Sequence, residues 1–62
     1  MIIRPTEVHE NWDRAYLGVG LAAEALGIEC NLKLHSQWLI KIDSKDLSTF
    51  LELAREAANA AQ

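Results

Sequence analysis

Two runs of alternating apolar and polar residues between Ile28 and Ile42 constrain this chain more than any other feature. Cys30, Leu32 and Leu34 mark the first run and Trp38, Ile40 and Ile42 the second, while Asn31, Lys33, His35, Leu39, Lys41 and Asp43 occupy the opposite parity. Period-two alternation is the pattern of a half-buried strand. A turn at His35-Ser36-Gln37 sets Leu34 opposite Trp38, Leu32 opposite Ile40 and Cys30 opposite Ile42, so that every pair is apolar on one face. A two-residue turn at Ser36-Gln37 would set Leu32 against Lys41 and Cys30 against Asp43, which mixes the faces. The pattern therefore predicts an antiparallel hairpin with an odd-length loop.

Helical spacing governs the flanks. Val8, Trp12, Ala15, Tyr16, Val19, Ala22, Ala23 and Leu26 recur at three- and four-residue intervals, which predicts a first helix starting between Thr6 and Asn11 and ending at Leu26. Thr6 after Pro5, with Glu7 and Glu10 following, suits a helix start, and Asn11 before Trp12 and Asp13 competes with it. Gly27 is placed to end the helix in the left-handed conformation and turn the chain into the first run. After the second run, Asp43 or Ser44 is the expected cap of a second helix whose apolar stripe is Leu47, Phe50, Leu51, Ala54, Ala57, Ala58 and Ala61. Large residues at its start and alanines later place most of the expected packing in its first two turns, with a frayed end. Met1 to Arg4, stopped by Pro5, is a candidate short strand at the N-terminal end. The predicted fold class is thus α+β: a two-layer sandwich in the order α-β-β-α, with that candidate strand in front and the hairpin packed on two helices.

Size limits function. A chain of 62 residues forms one small domain, residues 1–62, near the lower limit for folding without disulfides or metal, and it leaves little room for a deep pocket. Half of it is hydrophobic, more than so small a body can hide, and self-association is the ordinary remedy. A two-stranded sheet also leaves both edges open, so a homodimer is expected. The single Cys30 has no disulfide partner and sits on the apolar parity, which reads as a buried, unreactive thiol in a reducing, cytoplasmic setting. The start of the chain lacks the charged and apolar regions of a signal peptide, and the uncharged stretch Ala15 to Ala23 is too short to span a bilayer. The net charge of −3 and the scattered basic residues do not form the stripe expected of a nucleic-acid-binding surface.

Few residues suggest chemistry. Gly18-Val19-Gly20-Leu21-Ala22-Ala23 matches a loose dinucleotide fingerprint, but no buried strand precedes it, and no cofactor is expected. Ala15, Gly18, Ala22 and Ala25 are better read as a small-residue stripe along which another helix or strand comes close. His9 with Asp13 is the nearest approach to a metal-ligand pair, and no metal site is expected. His35 and Ser36 in the turn are the only catalytic candidates, too few to predict an enzyme. Trp12 and Trp38 are expected at least partly in the core, with tryptophan's tendency to anchor interfaces. Leu17, Leu21, Leu39 and Leu53 fall off the main apolar stripes, which marks them, with Trp12 and Trp38, as the expected partner or dimer surface. The expectation is a non-enzymatic small protein that binds another protein and acts by occlusion, as antitoxins, immunity proteins and phage inhibitors do. The alternative is a small nucleic-acid-binding protein using Lys33, His35 and Lys41 on the polar face of the hairpin, joined there by Arg4 and Lys45.

Overall fold

The computed structural model describes residues 1–34 and 36–60. His35, expected in the turn and on the nucleic-acid face, and Ala61, expected on the second helical stripe, lie outside the described residues. The elements run β1 (Ile2–Ile3), a 3-10 turn (Pro5–Glu7), α1 (Trp12–Leu26), β2 (Cys30–Asn31), β3 (Trp38–Ile40), a second 3-10 turn (Ser44–Asp46) and α2 (Leu47–Ala60). The fold is α+β, with a three-stranded antiparallel sheet of order β1-β3-β2 packed against the two helices.

The N-terminal strand forms, and it changes the sheet. Ile2 lies opposite Leu39 and Ile3 opposite Trp38, and Met1 extends the pairing as its carbonyl accepts from the Ile40 N–H at 2.7 Å. Pro5 then ends the strand, since it has no N–H for a ladder, and opens the 3-10 turn. β3 is therefore central and paired on both sides. Across the hairpin, Cys30 faces Ile40 and Asn31 faces Leu39. The expected pairing of Cys30 with Ile42 and Leu32 with Ile40 is thus displaced by two residues. A shift of two preserves the parity of every side chain, so the alternation is satisfied equally well in either register. With the ladder ending at Asn31, Leu34 does not face Trp38 from the inner side and is 64% exposed.

Both proposed starts of the first helix are used, by different structures. Pro5–Glu7 makes its single turn, with the Arg4 N–H donating to Glu7 Oε2 at 2.6 Å. Asn11 then caps α1 itself, its Oδ1 accepting from the Arg14 N–H at 3.2 Å. Gly27 ends α1 at φ 66° and ψ 35°, and the Ile28 N–H reaches back to the Ala23 carbonyl at 2.8 Å. These bonds make the left-handed helix stop that aims the chain into β2. Neither Asp43 nor Ser44 makes the expected side-chain cap; the Ser44–Asp46 turn leads into α2, with the Asp46 N–H bonded to the Asp43 carbonyl at 2.9 Å.

Ile3, Trp38 and Ile40 cover the inner face of the sheet, and Val19, Ala22, Ala23, Phe50, Ala54 and Ala58 meet them from the helices. Tyr16 and Leu26, expected on the buried stripe of α1, are instead exposed, because small residues rather than large ones occupy the face turned to α2. Ala15, Gly18 and Ala22 are buried there, while Ala25 is exposed. The large packed residues of α2, Leu47, Phe50, Leu51 and Leu53, lie in its first two turns, and the contact continues beyond them through the fully buried Ala58. A Cβ added at Gly18 would fall inside contact distance of the Ala54 carbonyl oxygen and 2.8 Å from the Ala58 Cβ.

Gly20, two residues on, has nothing within 4 Å of its added Cβ. The two glycines should respond oppositely to alanine. Gly18→Ala is expected to destabilise by about 1–3 kcal/mol through overpacking, whereas Gly20→Ala should stabilise by about 0.5–1 kcal/mol through helix propensity. Urea denaturation followed by circular dichroism measures both, with the wild type as reference.

Candidate interaction surface

Strand alternation buries Ile3, Trp38 and Ile40 and turns their neighbours outward. Register then sets Ile2, Leu39 and Asn31 side by side as one row across the sheet's outer face. Ile2 is 63% exposed and Leu39 48% exposed, and with Leu34, Asn31, Lys33 and Gln37 they line a shallow depression. The outer face was expected to be polar. It is apolar at its centre because β1 brings Ile2 beside Leu39, a juxtaposition made only by long-range pairing.

Cations stand around that centre. Lys33 lines the depression, and Arg4 lines an adjoining one with Ile2, Thr6, Glu7 and Gln37. Lys41 lies beyond Leu39 on the same parity and pairs with Glu29 at 3.1 Å. Both of those side chains are largely exposed, so the pair adds little to stability. Lys45, in the turn before α2, is exposed.

A second apolar strip lies on α1, where Leu17 and Leu21 are 44% and 46% exposed. Leu53, expected at the surface with them, is half-buried and packs against the core from α2. Trp12 is half-buried as well, stacked on Tyr16 with ring centroids 5.2 Å apart and edge-on to Trp38 at 5.9 Å. Trp38 itself is fully buried, so it cannot belong to a free surface of this fold. Central position in the sheet explains this: neighbouring strands flank it, and Trp12 and Tyr16 lie over its ring. Its Nε1–H has no hydrogen-bond partner among the described residues. Sequence reasoning singled out Leu17, Leu21 and Leu39, and missed Ile2 and Leu34. Ile2 had a usable signal, since strand formation by Ile2–Ile3 must send the two side chains to opposite faces.

The polar candidates are placed less suggestively. His9 Nδ1 accepts from the Asn11 N–H at 2.9 Å, so that nitrogen serves the entry to α1. Gly18 and Gly20 sit inside α1 rather than on a phosphate-binding turn before a helix. Among the described residues no group of three or more His, Cys, Asp or Glu side chains could hold a metal ion. Ser36 is exposed. No helix among the described residues is long and apolar enough to cross a membrane. Comparisons with protein-family models, with curated proteins and with solved structures gave no match to this chain.

Cys30 is half-buried on edge strand β2, beside Tyr16 and Leu32, rather than enclosed as expected. Desolvation still raises its thiol pKa above the ordinary value. Its reaction with Ellman's reagent at pH 8 should therefore be slower than that of glutathione and should speed up in denaturant, where the desolvation is relieved.

Proposed function

We propose that this protein is a non-enzymatic, cytoplasmic protein-binding module, a homodimeric regulator or inhibitor that acts by occluding a partner, in the manner of an antitoxin, immunity protein or phage-type inhibitor. One observation carries the reading: aliphatic side chains are grouped on two exposed surfaces, Ile2, Leu34 and Leu39 on the sheet and Leu17 and Leu21 on α1. A small protein that leaves several large aliphatics in two contiguous groups has surface suited to burial against another protein. Occlusion needs only such a surface and no reacting group.

The nucleic-acid alternative draws less support from the same face. Lys41 is engaged with Glu29, the exposed side chains at the centre, Ile2 and Leu39, are aliphatic, and stacking on bases calls for aromatic rings at the surface. The function is tested by affinity capture from lysate of the native host, comparing wild type with Leu39→Asp and Leu21→Asp. A protein recovered in stoichiometric amount with wild type and reduced at least tenfold with one of the variants is the expected result. Equal recovery with all three baits, or salt-sensitive recovery of nucleic acid alone, would overturn the reading.

A further inference from the structure

One face of α1 has no counterpart inside the protomer. Leu17 and Leu21 are 44% and 46% exposed, and Asp13 and Arg14, also exposed, join no ion pair among the described residues. Gly20 lies on the same face with nothing within 4 Å of a Cβ built there. Glycine weakens a helix interior relative to alanine, and at Gly20, unlike Gly18, no close approach within the chain offsets the loss.

Helix geometry puts these residues in order. At ~100° of rotation per residue, Asp13 and Arg14 stand on opposite sides of a line drawn along the helix through Leu17, and Gly20 and Leu21 stand on opposite sides of it one turn further on. The members of each pair differ in height by only ~1.5 Å. All five residues belong to α1, so their spacing is that of one regular helix.

We propose that this line is the seam of a closed homodimer, in which the α1 helices of two copies pack side by side and parallel about a two-fold axis. Such an axis sets one flank of the first helix against the other flank of the second at equal height. Leu17 then meets its own copy at the axis, and Leu21 of each protomer fills the space over Gly20 of the other. Asp13 of each protomer faces Arg14 of the other, which makes two reciprocal ion pairs. One symmetry operation thus supplies a counterpart to every feature the protomer leaves unused. Glu24 falls close to the line about 4.5 Å beyond Leu21. Its two copies repel, so the helices cross and part there, and the contact ends at Leu21.

Charge selects this arrangement over the other symmetric one. An antiparallel two-fold keeps each flank against its own kind, which brings Asp13 to the partner's Glu24 and leaves Arg14 beside Ala25. The parallel dimer does not use the sheet's outer face, so Ile2, Leu34 and Leu39 stay available for an occluded protein. The proposal rests on reading the chain as a homodimeric protein-binding module and adds which surface makes the dimer.

Charge variants mixed in trans test the geometry. Asp13→Lys alone opposes two cations at each reciprocal contact, and Arg14→Glu alone opposes two acids, whereas in the mixed pair both contacts carry opposite charges. In sedimentation velocity from micromolar to millimolar protein, wild type should reach a dimer and grow no further, with high salt weakening the association. Each charge variant alone should raise the dimer Kd roughly tenfold, and their equimolar mixture should recover wild-type association as a heterodimer. Gly20→Ala should also weaken the dimer while raising the thermal stability of the dilute monomer. Circular dichroism verifies folding; if a charge variant is unfolded, Leu17→Asn, at an exposed position, should remove the dimer and supplies the comparison. A mixture that restores nothing, a dimer indifferent to these substitutions, or wild type monomeric at millimolar concentration would overturn the proposal. Each of those results leaves capture with Leu39→Asp to decide occlusion separately.

Discussion

The near-contact of α1 and α2 at Gly18 sets the dimensions of everything else in the fold. With no side chain at that position and only methyl groups at Ala54 and Ala58, the two helices approach at backbone range. The volume saved between the helices is matched by bulk beneath them, where Trp38 and Phe50 are the largest fully buried side chains. The core is therefore divided by size: small residues between helix and helix, large ones between helix and sheet. Such a division lets a chain of 62 residues enclose a tryptophan and a phenylalanine with only two layers. Spreading the helices would uncover both rings at once.

Local chemistry made the helices and their stops readable from sequence. Gly27 as the left-handed end of α1 and Asn11 as one of two candidate starts act through groups only a few residues away, so local sequence marks them, although only the structure chooses between Thr6 and Asn11. Parity in the hairpin was also legible, and register was not. Apolar alternation repeats every two residues, so a slide of that length leaves the pattern unchanged, and the pairing is decided by the loop and by β1 on the other side of β3. Large residues misled in α1 for a related reason. Tyr16 and Leu26 fit the helical period, but the face turned to α2 needs small side chains, and period does not record how near a partner helix comes.

The interaction surface was half legible. Leu17, Leu21 and Leu39 stood out because they break the periods around them, which is information carried by the chain's own neighbours. Ile2 and Leu34 belong to the surface only through the placement of β1 and the early end of β2. The sheet's outer face thus owes its apolar centre to a long-range pairing. Trp38 shows the converse. Its position at a strand start resembled an exposed edge, and burial came from elements on either side.

β1 has a bearing on how the molecule is assembled and how it breathes. Helix stop, hairpin and helix-helix contact lie in one continuous stretch from Asn11 to Ala60, whereas pairing Ile3 with Trp38 closes a loop that contains all of α1 and β2. Loop-closure entropy makes such a contact a late one on the folding route, formed on a hairpin already supported by its helices. The two-residue strand has few bonds to hold it, so in the native ensemble it is suited to open before the helical layer does. Each such opening would return β3 to being an edge, bare N–H and C=O groups on one side of Trp38 and Ile40, and would disperse the Ile2–Leu39 pair. The outer face would then exist only while the N-terminal strand is seated, so that its surface chemistry and the last step of folding are the same event.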